Sequence, residues 1–578
     1  MKDKILNYMK RLVRVPGISD TEAEKKSGEE AAAILRGQTY FMKNPDACGN
    51  PVLEQDHLKR TLPFGLVRGN GKKTVILTGH YDVVGVGEYG PFQDAAFDVE
   101  ELERRFAAAG QEVLGQDAWA DLTSGEWMFG RGTADMKGGL AAGLAVLEYW
   151  GDQALAGRIP DGNILFLAVP DEESYSLGMR SAAGLLLRLK AQYDLEYECL
   201  VDLEPCERTK GTQEVFIGSA GKWMPVVLVQ GKKAHISQCY EGINAIGVLG
   251  EFFNRTELSP EFADGYEDER CVPPTWLQFR DRKAEYDVSV PSRACGYMNL
   301  ITFSRTPEEL MERLKAVGEQ SWAAYRERME RSERELGRQE SSQRNVDQWN
   351  MDQWNADQWN TDQRNTDQRN TGGDRNAETG QVLGYGELLE KCRGREDFTA
   401  FQDGLLCRIK KQVESGSMNY PQAAVEVMEK MLDFSGITTP VMVIGFAPPF
   451  YPAYHSDRLA GRGEAGTGFF MKLNNISQTA YEIPLKRKHY FTGISDLSYC
   501  GVSGMPDLNA YTENAPLWGD LYKVDFEGMA QLNIPSVLYG PWGKDIHQMT
   551  ERVNIKSLTV ELPGILQKFI EQVFANRT

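Results

Sequence analysis

His80 and Asp82 lie two residues apart at the end of an apolar run, Lys73-Thr74-Val75-Ile76-Leu77, which reads as a buried parallel strand. In extended backbone, residues i and i+2 point the same way, so an imidazole and a carboxylate leave the strand end together. That pairing is how a metal-binding histidine is oriented and made more basic, although a lone His-x-Asp also suits a satisfied histidine at a strand end. Further acids follow the same pattern. Ile164 to Pro170 is a buried strand delivering Asp171, Glu172 and Glu173, and Cys199 to Leu203 delivers Glu204. Asp135 sits in the glycine-crowded stretch Gly130-Arg131-Gly132-Thr133-Ala134-Asp135-Met136-Lys137-Gly138-Gly139, where the backbone can turn tightly. The strand-like Pro535 to Tyr539 leads to His547, with Glu551 four residues on. Carboxylates gathered at strand mouths repel one another without a cation. Oxygen ligands with imidazole suit zinc, cobalt or manganese.

The elements that must position these residues follow from periodicity. Residues 1–36 read as two amphipathic helices, with Ser19 or Asp20 capping the second. Arg68-Gly69-Asn70-Gly71 is a hairpin signal. Residues 88–129 form an aromatic, acidic insertion expected at the surface near the site. Between residues 222 and 440 come a strand at Met224–Val229, a helix from Asn244, a strand over Ala294–Phe303 and a helix opened by Thr306-Pro307. Val441 to Phe446 is another strand, running into a proline-aromatic segment that suits either a pocket wall or interdomain packing. His455 and His489 carry no supporting pattern and are expected in core or surface roles. From Asn345 to Arg369 a five-residue Asn-x-Asp-Gln-Trp/Arg unit repeats; its polarity predicts a disordered loop over about 340–380.

Composition bounds the function. The 578 residues exceed one core, and 41% hydrophobic with 25% charged residues is ordinary for a globular protein. A net charge of −19 argues against nucleic acid as a partner. Nine scattered cysteines, none in a Cys-x-x-Cys pair, fit neither a disulfide framework nor a thiolate zinc site. No signal-peptide core and no bilayer-length apolar run is visible, which predicts a cytoplasmic protein with no membrane partner.

Taken in order, these motifs resemble the M20 family of dinuclear zinc peptidases and amidohydrolases, and within it the RocB branch, named for a link to arginine utilisation. Gly79-His80-Tyr81-Asp82-Val83-Val84, the Asp135 stretch, Asp171-Glu172-Glu173, Glu204-Pro205 and His547 carry the likeness. Gly231-Lys232-Lys233-Ala234-His235-Ile236-Ser237 and Gly493-Ile494-Ser495-Asp496 add to it. The resemblance implies an α/β fold, a three-layer αβα catalytic domain of the zinc-peptidase type with an inserted α+β lid. The expected division is a first catalytic part at 1–221, a lid at 222–440 and a second catalytic part at 441–578. It implies that Asp135 bridges two divalent ions, zinc first with cobalt or manganese as alternatives. His80 and Glu204 complete one site, and Glu173 with His547 the other. Glu172 is then the general base, Asp82 the partner of His80, and lid His235 the oxyanion donor, which in related enzymes often arrives across a homodimer contact. Two ions lower the pKa of a bridging water and polarise the scissile carbonyl. The expected activity is cleavage of an amide in a small peptide or N-acyl amino acid, with a link to arginine or amino-acid catabolism. The alternative is a non-catalytic binding or regulatory protein that keeps the fold.

Overall fold

Alternation along the strand Lys73–His80 sets the layers. Val75 and Leu77 pack into one apolar cluster with Ile5, Leu12, Leu140 and Phe569, whereas Ile76 packs into another with Leu165, Leu186 and Leu189. Successive strand side chains point to opposite faces, so a sheet buried on both sides needs helices on both. The helices Lys2–Arg14, Lys137–Leu155 and Leu562–Ala575 cover the first face, and Leu177–Tyr193 covers the second. This is the three-layer αβα arrangement. The structure, a computed structural model, describes residues 1–336, 380–503, 508–519 and 521–575. The pentapeptide repeat expected over about 340–380 lies outside the described residues.

In the first sheet the central strands run Asn163–Val169, Lys73–His80, Glu196–Asp202 and Ser536–Leu538, each parallel to its neighbour. Their C-terminal ends therefore open on one edge, where ligands bind in open α/β sheets. The expected hairpin at Arg68–Gly71 does not form. Phe64–Val67 pairs antiparallel with Asn163–Val169, so a strand from far along the chain separates the two that the turn connects.

The second sheet contains Gly221–Trp223, Pro225–Gln230, Thr275–Asp281, Arg293–Thr302, Gln381–Gly384 and Val441–Phe446. Helices flank both of its faces. Ala245–Thr256 and Pro307–Glu335 lie on one, and Tyr385–Arg393, Phe398–Glu414 and Tyr420–Ser435 pack on the other. The helix Pro307–Glu335 opens with a capping box between Thr306 and Glu309. Val441–Phe446, expected to begin the returning part of the chain, belongs to this sheet instead, paired with Pro225–Gln230. The chain returns just after it. Tyr454–His455 pairs with Gly218–Ser219, so the outward and returning crossings between the sheets run side by side. No helix among the described residues is long and apolar enough to cross a membrane.

The 88–129 insertion is folded rather than a bare excursion. Leu102, Phe106, Trp127 and Phe129 form its own small core. Buried Arg552 ties it to the C-terminal segment through Asp117 (2.6 Å) and Asp121 (2.7 Å).

Candidate metal centre

Three adjacent parallel strands deliver the first ligand candidates to one edge. His80 ends Lys73–His80, Glu172 and Glu173 follow Asn163–Val169, and Glu204 follows Glu196–Asp202. Asp135 does not come from a strand of this sheet. It lies in the glycine-rich loop just before the helix Lys137–Leu155, and Gly139 lets that helix approach: a Cβ there would stand 2.2 Å from the Leu203 carbonyl. His547, in the loop after Ser536–Leu538, has a positive φ of 64°.

All five expected ligands converge. His80 Nε2 lies 3.0 Å from Asp135 Oδ1 and 3.2 Å from Glu204 Oε1. His547 Nε2 lies 3.2 Å from Asp135 Oδ2 and 3.1 Å from Glu173. One oxygen of Asp135 thus faces each histidine. Donor atoms each ~2.0–2.2 Å from one zinc in tetrahedral array stand roughly 3.3 Å apart, so these separations fit a shared ion on either side of Asp135. Glu172 Oε2 stands 3.9 Å from His80 Nε2, beside the cluster. The donor atoms of His80, Glu172 and Glu204 lie within 4.8 Å of one another, as do those of His80, Asp135 and Glu173.

Asp82 holds this arrangement from behind. Its Oδ1 is 3.5 Å from His80 Nδ1, but the closer contact of that nitrogen is the Asp82 backbone carbonyl at 3.0 Å. The carboxylate accepts the Glu172 and Glu173 backbone N–H groups (both 3.2 Å) and the Ser19 hydroxyl (2.8 Å). Ser19, expected as a helix cap, serves Asp82 instead, and the helix Glu22–Gly37 starts at Thr21 without a side-chain cap bond.

The electrostatics describe a cluster short of positive charge. Burial and neighbouring carboxylates push Glu172 well above its ordinary pKa and Glu204 to about 7. Hydrogen bonds to Asp135 and Glu173 push His547 up to about 10. Burial opposes the charge on His80, yet Glu204 and Asp135 hold its pKa well above the usual value. The donor set of imidazoles and carboxylates suits divalent ions, which would supply the missing positive charge.

Further residues bear on the site beyond those expected to act. Fully buried Glu551 accepts the backbone N–H groups of Gly132 (2.8 Å), Ala134 and Asp135 (both 3.2 Å), and pairs with Arg131. Arg131 also pairs with Glu88 and lies 5.3 Å over the Tyr89 ring. Asp496, in the segment noted from sequence, is buried beside the cluster; burial pushes its pKa to about 8. Asp202 is buried with neither carboxylate oxygen hydrogen-bonded within the chain. His235 is not brought to the cluster within one chain. It is exposed, with Nδ1 2.7 Å from Ser237 Oγ, and its backbone bridges to Ser289. His455 and His489 are buried and bonded to each other at 3.2 Å, a core role.

This fold and site define a hydrolase class, and the comparison of sequences agrees. The chain belongs to peptidase family M20/M25/M40, whose model matches residues 111–470. Within it the chain is RocB-like. It is 26% identical to Protein RocB of Bacillus subtilis (strain 168) over 563 residues, covering 96% of this chain and 92% of that one. It is 28% identical to the uncharacterized protein YqjN of the same organism over 570 residues, covering 98% and 95%. A succinyl-diaminopimelate desuccinylase of Buchnera aphidicola is 29% identical over 240 residues, 41% of this chain and 52% of that one. Among solved structures, the Bacillus subtilis YXEP protein, a dinuclear metal binding peptidase from the M20 family, aligns with a TM-score of 0.47 at 11% identity, covering 99% and 98%.

Proposed function

We propose that this chain is a two-metal amidohydrolase that cleaves the amide bond of a small peptide or an N-acyl amino acid, with Glu172 as general base. The observation that carries the reading is Asp135, one carboxylate oxygen 3.0 Å from His80 Nε2 and the other 3.2 Å from His547 Nε2, with Glu204 3.2 Å from the first imidazole and Glu173 3.1 Å from the second. His80 with Glu204 and Glu173 with His547 would hold the two ions, with zinc the first choice and cobalt or manganese the alternatives. Bound there, divalent ions supply the Lewis acidity that activates water and polarises a carbonyl.

The chain's own residues do the rest. Asp82 fixes the His80 ring and, through two backbone N–H groups, the loop bearing Glu172. Glu172 stands beside the ligands, placed to take the proton of the attacking water and return it to the leaving amine. In this reading residues up to about 221 and those after Phe446 form the catalytic unit, the segment between them forms the lid, and His235 acts as oxyanion donor when supplied by a second copy of the chain.

Glu172→Gln tests the assignment. The expected variant keeps its metal while kcat falls about 10²- to 10⁴-fold on whichever amide the parent cleaves, with N-acyl arginines first in the screen. Retained activity, or loss of the metal, would contradict the role.

A further inference from the structure

Of the five expected ligands, His547 is the most exposed and the one that depends on a loop for its place. Its side chain is 49% exposed, against 1% for His80, which ends a central strand. The loop, 545–551, is the tip of a hairpin formed by Gly543–Lys544 and Arg552–Asn554. Asp545 and His547 both have left-handed backbone, with φ of 53° and 64°. Such conformations persist only where the surroundings over-determine them.

The surroundings here come from the 88–129 insertion. Its strand Trp127–Phe129 pairs antiparallel with Arg552–Asn554, and Met549 packs against its small core. Lys544 and Arg552 stand directly opposite each other in the hairpin ladder, where like charges repel. Asp121 of the insertion offsets this repulsion, 2.8 Å from Lys544 Nζ and 2.7 Å from Arg552 Nε. The buried Arg552 guanidinium then reaches into the loop. It pairs with Asp545 and donates to the Thr550 carbonyl (3.0 Å), and Thr550 Oγ1 donates to Asp545 (2.7 Å). One planar group with several donors thus fastens both ends of the His547 loop to the insertion.

Resting on the two-metal reading, we propose that Arg552 is a positioning residue for His547, holding it through Asp121 of the insertion. It governs the ion shared by His547 and Glu173 rather than the one shared by His80 and Glu204. The His80 site has no such need, because adjacent parallel strands deliver both of its side chains. Residues that orient a metal ligand from behind commonly carry about 10- to 100-fold of metal affinity.

The test titrates cobalt(II) into the metal-free parent, Arg552→Lys, Asp121→Asn and His547→Ala, and into Arg552→Lys combined with His547→Ala. Lysine keeps the charge but cannot hold three partners at once. We expect Arg552→Lys to weaken one ion about 10- to 100-fold and to leave the other within about threefold. Asp121→Asn weakens the same ion. In the His547→Ala background Arg552→Lys has no further effect, which identifies the ion it serves. Amide hydrogen exchange in the metal-free variants quickens over 545–551 but not around Asp135. Equal weakening of both ions, a further loss in the His547→Ala background, or unchanged affinities would overturn the proposal. If Arg552→Lys does not fold, Asp121→Asn decides on the same criteria. If the parent takes no cobalt, the two-metal reading fails. The positioning role then stands if exchange over 545–551 quickens in the variants, and falls if it does not.

Discussion

Glu551 is a single carboxylate spanning two distant segments, since it accepts three backbone N–H groups of the Asp135 loop and lies four residues beyond His547. Its identity sets how the bridging aspartate and the far histidine stand relative to each other. Glu551→Gln keeps an acceptor for those N–H groups but loses the charge opposite Arg131. Metal affinity by chelator competition is expected to fall about 10- to 100-fold, as when other supporting residues around metal sites are changed. Unchanged affinity would assign Glu551 to packing alone. The residues that converge on the site were legible from type and position: an imidazole or acid after each apolar strand, and Asp135 among glycines. Glu551 was visible only as a neighbour of His547, because the N–H groups it satisfies are 416 to 419 residues away. For the same reason Ser19, read locally as a cap, serves Asp82 instead.

Elements bring these side chains within reach only where backbones come unusually close. At Gly139 the helix Lys137–Leu155 passes the Leu203 carbonyl, one residue before Glu204, with no room for a methyl group. Gly139→Ala is expected to destabilise the fold by about 1–3 kcal/mol, the cost of overpacking against backbone, and to weaken metal binding by moving Asp135 away from Glu204. Denaturant titration beside metal affinity checks both, and an unchanged midpoint would show that the contact relaxes freely. The helices and apolar strands were legible because their periodicity is local. Their pairing was not. Arg68–Gly71 carries hairpin chemistry, yet Asn163–Val169 inserts between the strands it joins, and Val441–Phe446 completes the second sheet rather than the first. Both outcomes are decided by partners far along the chain that only the assembled sheets reveal.

At the scale of the whole molecule, acids held above their unfolded pKa values make the metal-free protein sensitive to pH. Burial raises Glu204 from 4.5 to about 7 and Asp496 from 3.8 to about 8. The folded state therefore binds protons that the unfolded chain has released, and this contribution is fully present at low pH and lost as pH rises through the folded values. His547, raised from 6.5 to about 10, adds the same sign at higher pH. The melting temperature of metal-free protein is expected to fall between about pH 5 and 8. Bound cations replace those protons, so the loaded protein should melt higher and show a flatter profile. Identical profiles with and without metal would contradict this. The most direct test of the central claim is the metal content of the purified protein beside Asp135→Ala. The account predicts about two equivalents per chain in the parent, lost in the variant. A parent chain that stays empty when zinc or cobalt is supplied would contradict it.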